Sequence, residues 1–314
     1  MILLLGSSGY IGREFERILN GRGLEFKAIG RHQLDYTSSA ELKKFLGLIR
    51  PTFIINAAGF TGKPNVDACE LQKEETMRGN VDFPKMLAQT CQELKIPWGH
   101  VSSGCIFTGC LVEQEGRWVL EKNMNKDYVQ KIATSQPTRL RGFDESFSPN
   151  FSFNDGPCSY YSGTKAMAEE AIKEMGDHYI WRLRIPFNNI NSPRNYLTKI
   201  QTYSKVYDNL NSLSHLDDFV NACLDCWVKH IPYGIYNVTN PGFVSTRQVV
   251  ELIKLILKPQ RDFVFWESDE EFYRFGAKAL RSNCILDSNK LQRAGITIRS
   301  IDDAIKDSLK SWKS

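Results

Sequence analysis

The 314-residue sequence contains no apolar run of about 18 residues, the length needed to cross a bilayer core, so no membrane-spanning helix is expected. Its apolar opening, MILLL, lacks a basic leader and runs into Gly6 and Gly9, which argues against a secretion signal and suits a first β-strand. Excess charge of one sign is also lacking. The 40 Lys and Arg against 36 Asp and Glu leave a formal net charge of +4, with no basic stripe of the kind nucleic acid requires. That balance suits a small anionic substrate and excludes a nucleic-acid partner. The eight cysteines lack the dense, even spacing of a secreted disulfide scaffold and read as reduced thiols of a cytoplasmic protein. Cys223 and Cys226 form the one close pair, but no second pair or histidines stand at zinc spacing, so core filling is expected and no metal. Repeats, low-complexity tracts and Pro/Ser-rich linkers are absent, and the parts of the chain should pack as one unit.

What is present is a βαβ rhythm. The strand ILLL leads to a helix from Tyr10 to about Asn20. EFKAIG follows as a strand, then the helix SAELKKFLGLI, the strand TFIINAAG, a longer helix ending near Leu94 and the strand PWGHVSS. Such alternation predicts an α/β fold, a Rossmann-like doubly wound parallel sheet with a smaller C-terminal substrate-binding lobe. Residues 1–186 are assigned to the nucleotide-binding domain, and 187–314 mainly to the lobe, with some elements returning to the first domain. The polar stretch from about 110 to 149 is long for a connection and reads as an insertion, with a flap as its suggested form. Later, STRQVVELIKLIL reads as a helix opened by a Ser245/Gln248 capping box.

GSSGYIG follows the first strand directly and opens a helix. Its glycines let the backbone turn tightly and approach a pyrophosphate resting on the helix N-terminus. Gly6, Gly9, Tyr10, Ile11 and Gly12 are therefore candidate dinucleotide contacts. At the end of the second strand the chain offers Arg31, where an NAD site usually places an acid. A guanidinium suits a 2′-phosphate, so NADPH is favoured, with NADH left open by the nearby Asp35. The small residues Ala57, Ala58 and Gly59 end the third strand and let a cofactor pass close to the backbone.

In YYSGTK, Tyr161 and Lys165 stand at i and i+4 on one helix face, whereas Tyr160 points elsewhere. Tyr161 is the candidate acid. A neighbouring ammonium favours the phenolate and draws the group toward useful proton transfer. Ser103, at the end of the fourth strand, is placed to bond the same substrate oxygen. In this order the residues resemble the Ser/Thr, Tyr, Lys set of the extended short-chain dehydrogenase/reductase family, which works with NAD(P).

A closer resemblance runs through NAAGFTGKPNVDACE, GCIF, YSGTKAMAEE, LRIPF, SPRNYLTKI, YNVTNPGFVS and RSNCILDSNKL. These blocks look like those of the plant-type enzyme that epimerises UDP-4-keto-6-deoxyglucose at C3 and C5 and reduces C4 to give UDP-L-rhamnose, a relative of bacterial dTDP-4-dehydrorhamnose reductase. The resemblance covers most of the chain in order, and the segment after Phe107 departs from it. It implies that Cys105 and Lys199 act from opposite faces of the sugar ring. A C4 ketone acidifies the hydrogens on both neighbours, and inversion needs a donor and an acceptor on opposite sides. Lys199 is expected to be tuned downward by burial beside Arg194. Arg194 and Asn195 are candidates for the substrate phosphates, and Asn65 for sugar contacts. A UDP-sugar is the implied substrate, with dTDP open, and a homodimer is a family-level expectation. Two other readings stand beside this one: a plain 4-reductase with an inert Cys105, and a non-catalytic NADP-binding regulatory subunit.

Overall fold

The computed structural model describes residues 1–313. Four short strands, β1 (Ile2–Leu5), β2 (Phe26–Ile29), β3 (Phe53–Asn56) and β4 (Trp98–Ser103), alternate with helices that include α1 (Tyr10–Gly21) and α2 (Ser39–Ile49). All four residues of β1 are buried, the mark of a strand covered on both faces. Side-chain alternation sends Ile2 and Leu4 into one core with Phe15, Trp181 and Phe219, and Leu3 and Leu5 into another with Leu42, Leu87 and Trp98. The sheet is thus a wall between two apolar layers.

Next come β5 (Cys110–Gln114), β6 (Arg117–Glu121), β7 (Leu140–Arg141) and β8 (His178–Leu183). The central sheet has six strands in the order Gly234–Asn237, β8, β4, β3, β1, β2, and every pairing in it is parallel. Between β1 and β3 the chain reverses the direction in which it adds strands, and ligands bind at such a point, beyond the carboxyl ends. Gly99 on β4 is required by packing, since a Cβ there would meet the Trp181 ring at 2.0 Å. The expected doubly wound sheet is present.

The C-terminal lobe has its own core around the helices Thr246–Leu257 and Ile301–Lys310, which contribute Val249, Ile253, Ile305 and Leu309. The Ser245/Gln248 capping box forms as expected. Helix Leu216–Val228 and strand Gly234–Asn237 return to the first domain, the strand pairing with β8 and the helix burying Phe219 and Cys223 beside Phe15. Cys226 is buried there too.

The 110–149 segment is not a loose flap. It folds as a three-stranded antiparallel sheet, in the order β6, β5, β7, with helix Asp127–Ser135. Alternate residues Cys110 and Val112 turn inward and join Met124 and Val129 in a core shared with Leu210 and Ile285. Polar composition masked this, because β6 and one face of the helix remain exposed while the inward stripe is short.

Candidate active site

The carboxyl ends of β1 and β3 meet at backbone distance. Gly6 takes φ +81°, and a Cβ on it would lie 2.5 Å from the Ala58 nitrogen; a Cβ on Gly12 would lie 2.1 Å from the Gly6 carbonyl oxygen. Helix α1 starts at this turn with Gly9 as its N-cap and no side chain capping it, so its first N–H groups are left for a ligand. Ala57 and Ala58 are partly open and Gly59 is exposed, in line with a passage for a cofactor. Ile11 packs on the core, and the Tyr10 hydroxyl is buried without a partner. Arg31 is exposed just after β2. The competing Asp35 carboxylate is engaged with Thr37, accepting from its hydroxyl at 2.5 Å and its N–H at 3.1 Å. These residues fit a dinucleotide, and the guanidinium fits a 2′-phosphate better than Asp35 fits a free ribose.

At the end of β4 the chain turns sharply through Gly104–Ile106, and the Ser103 hydroxyl accepts the Cys105 N–H at 3.1 Å. The facing helix, Tyr160–Ile172, is capped by Ser159. It is pinned to the sheet through Glu169, which accepts from Ser102 at 2.5 Å and from Arg182 at 2.8 and 3.1 Å. This buried ion pair fixes where Tyr161 and Lys165 point. Burial pushes the Tyr161 phenol up, with the charge of Cys105 adding to it and a hydrogen bond to Ser103 opposing it. Burial lowers Lys165 to about 8, against the raising effects of Glu169 and Cys105. Cys105 thus acts on both Tyr161 and Lys165, while the expected lowering of the phenol by a neighbouring ammonium is outweighed by burial. Cys105 itself is partly exposed rather than turned into the core.

Sequence reasoning missed Arg184. Its side chain is 1% exposed, and it donates to the Cys105 sulfur at 3.0 Å, to Asn211 Oδ1 at 2.5 Å and to the Ser282 carbonyl at 2.5 Å. The signal was the pair of cations within the apolar strand WRLRI, since buried guanidiniums need partners. Arg182 finds Glu169; Arg184 finds the thiol.

Farther along the chain, Lys199 is lowered by burial first and then by the charges of Arg194 and Arg281, the causes expected plus one more. Arg194 donates to Thr61 Oγ1 at 3.1 Å and to the Gly62 carbonyl at 2.7 Å, so it clamps the loop after β3. Arg281 reaches the same loop, pairing with both oxygens of Asp67 at 2.7 and 2.9 Å. Asn65 caps the following turn by accepting from Asp67 N–H at 2.8 Å. Asn195 is not open to a ligand. It is fully buried, its oxygen accepts from Leu197 N–H at the start of helix Tyr196–Thr202, and its amide donates to the carbonyls of Asn188 and Ile190. Its hydrogen-bonding capacity is taken up by a helix cap, which corrects the expected phosphate contact.

Comparison with known proteins agrees with this geometry. The RmlD substrate binding domain family matches residues 1–134. A bifunctional dTDP-4-dehydrorhamnose 3,5-epimerase/dTDP-4-dehydrorhamnose reductase of Arabidopsis thaliana is 31% identical over 308 residues, covering 96% of this chain and 90% of that protein. The chain belongs to the dTDP-4-dehydrorhamnose reductase family. A trifunctional UDP-glucose 4,6-dehydratase/UDP-4-keto-6-deoxy-D-glucose 3,5-epimerase/UDP-4-keto-L-rhamnose-reductase of the same plant is 32% identical over 307 residues; the chain spans 40% of that longer protein. Among solved structures, the L780 UDP-rhamnose synthase of Acanthamoeba polyphaga mimivirus superposes with a TM-score of 0.82 at 26% identity, covering 99% of this chain and 98% of that one. As a dTDP-4-dehydrorhamnose reductase family member, the chain has Ser103, Tyr161 and Lys165 where its sheet ends, beside the glycine turn. No helix among the described residues is long and apolar enough to cross a membrane.

Proposed function

We propose that the protein is an NADPH-dependent reductase of a nucleotide-linked 4-keto-6-deoxy sugar that also epimerises the sugar at C3 and C5, converting UDP-4-keto-6-deoxy-D-glucose to UDP-L-rhamnose. The observation that carries this reading is the hydrogen bond from Arg184 to Cys105 beside Tyr161: it places a sulfur with a cationic partner next to the acid that would serve the C4 oxygen. The relatives named as epimerase/reductases support it, because the match to the bifunctional plant protein runs nearly end to end.

Gly6, Gly9, Gly12, Ala57, Ala58 and Arg31 would hold the dinucleotide, which when bound supplies a hydride to C4. Ser103 and Tyr161 orient the C4 carbonyl and stabilise the enolate that forms when a proton leaves C3 or C5. Cys105, as thiolate, takes that proton on one face, and Lys199, as ammonium, returns one on the other, so each step conserves one proton and inverts one carbon. Exchange with water resets the pair. When C4 is reduced, Tyr161 gives its phenolic proton to the oxygen. Arg194 supplies the positive charge facing the diphosphate. A homodimer is retained as part of this reading.

Incubation with UDP-4-keto-6-deoxyglucose in heavy water, first without and then with NADPH, tests the proposal by NMR of the sugar protons. Deuterium at C3 and C5 before NADPH is added, followed by UDP-L-rhamnose, is the expected result. NADPH oxidation without exchange reduces the assignment to a 4-reductase, and neither signal reduces it to a binding subunit. Parallel runs with the dTDP sugar decide the base.

A further inference from the structure

Behind Lys165 lies a buried chain of polar groups that the proposed reaction does not use. The Ala58 N–H donates to Asn56 Oδ1 at 3.0 Å; Asn56 Nδ2 lies 3.1 Å from His100 Nδ1; His100 Nε2 lies 3.4 Å from Lys165 Nζ, which also donates to the Val101 carbonyl at 3.1 Å. Asn56 and His100 are fully buried and Lys165 is 4% exposed, so water does not stand in for a missing partner.

The direction of each bond follows from the first. A backbone N–H only donates, so the Asn56 atom facing it is the oxygen and the atom facing His100 is the NH2 group. His100 Nδ1 is then an acceptor. Burial first, and then the charges of Lys165 and His178, hold His100 well below the usual imidazole range, so the ring is neutral and carries one proton. That proton is on Nε2, aimed at Lys165. An ammonium has no lone pair to receive it, whereas a free amine does while still donating to Val101.

We propose that His100 is a positioning residue that stabilises the free-amine form of Lys165, its tautomer being dictated from the cofactor-binding turn at Ala58 through Asn56. The other groups facing Lys165 leave this role to His100. Glu169, on its own helix, is engaged by Arg182 and Ser102; Tyr161 lies one turn away; Cys105 approaches from the turn after β4. Resting on the function proposed above, the consequence is a proton relay. After Tyr161 gives its proton to the C4 oxygen, Lys165 ammonium returns one to the phenolate; the amine so formed accepts from His100 and is later reprotonated by water. A Lys165 that titrates near 8 is suited to this exchange.

The test begins on the wild-type protein without substrate, so it does not depend on the assigned reaction. In protein labelled with ¹⁵N-histidine, long-range ¹H–¹⁵N correlation at pH 9 reads the tautomer of His100, identified among five histidines by loss of its signals in His100→Gln. The Nε2–H form is expected, with a shift change as Lys165 titrates; the Nδ1–H form, or no response across that titration, overturns the proposal. Asn56→Asp accepts from both Ala58 and Nδ1 and should invert the tautomer. Asn56→Ala removes the constraint without adding charge. In both variants the basic limb of the reduction rate should move upward, by roughly one pH unit for the loss of one hydrogen bond in Asn56→Ala. A limb that moves only in the charged variant overturns the relay and leaves a simple charge effect. A protein with no reductase activity but the Nε2–H tautomer keeps the chain and discards the reaction.

Discussion

Arg184 donates a 3.0 Å hydrogen bond to Cys105 Sγ from a site 79 residues away in sequence, and the guanidinium's other bonds, to Asn211 and Ser282, hold it there. A guanidinium fixed against the sulfur orients the side chain and meets negative charge that develops there during reaction, and hydrogen bonds to a charged acceptor are worth ~1.5–3 kcal/mol against about 1 for neutral pairs. Arg184→Met should slow alkylation of Cys105 by iodoacetamide, and C3/C5 deuterium exchange with it, by about 10- to 100-fold. Arg184→Lys should recover part of both. Circular dichroism and NADPH binding control for folding; unchanged alkylation in a folded Met variant would leave the contact structural. Cys105→Ala should abolish exchange while leaving NADPH binding intact.

The glycine turn makes a graded prediction. A Cβ at Gly12 meets the Gly6 carbonyl at 2.1 Å, backbone against backbone, whereas one at Gly9 meets the same oxygen at 3.2 Å and Gly9 has an ordinary φ of −75°. Gly12→Ala must move the turn or the helix, with an overpacking penalty on the order of 1–3 kcal/mol. Thermal unfolding should show that loss, and NADPH fluorescence titration should show at least tenfold weaker binding. Gly9→Ala should be mild in both. Equal effects would contradict the close approach at Gly12.

Asp67 and Arg281 tie the loop after β3 to the C-terminal part of the chain. Burial works to raise Asp67, and the bonds from Arg281 and from the Ala279 N–H outweigh it, so its carboxyl sits below the ordinary aspartate value. A carboxyl lowered on folding adds stability that is present above its unfolded value and is lost as pH falls through the folded one. The protein should therefore lose stability below about pH 4, and Asp67→Asn should flatten that part of the curve. At neutral pH the Asn variant loses ~1–2 kcal/mol, since one Arg281 donor then faces an NH2 group. Urea titrations across pH measure both effects; KM for the sugar nucleotide should rise more than kcat falls.

Local pattern made much of this protein legible. Helix α2 runs from Ser39 to Ile49, the segment SAELKKFLGLI indicates, and the i, i+4 spacing selected Tyr161 over Tyr160. What escaped depends on distant partners. Arg184 and His100 gain their roles from residues 27 or more positions away, and neither has a local motif. Asn195 shows the opposite error: an asparagine at a helix start is a capping signal in its own right, and a phosphate-binding role was assigned to it because it adjoins Arg194. The sheet within the insertion was not read because its inward residues are few and scattered: Cys110, Val112, Met124, Val129 and Leu140.

On the proposed function, cofactor choice rests on one exposed side chain. Arg31 stands in the turn after β2 with no hydrogen bond or ion pair to another described residue, while Asp35, the one acid near enough to replace it, is bound to Thr37. Burial is minimal there, so the residue has little to do for stability, and unfolding of Arg31→Ala should match the wild type to within about 0.5 kcal/mol. Affinity is different, because a guanidinium on a 2′-phosphate makes charge-assisted bonds that the ribose hydroxyl of NADH does not replace. Arg31→Ala should weaken NADPH about 10- to 100-fold and leave NADH within about twofold. The difference should shrink as ionic strength rises, since the site is open to screening. Calorimetric titration with both cofactors at two salt concentrations reads all three effects. Equal losses for NADPH and NADH would place the 2′-phosphate elsewhere.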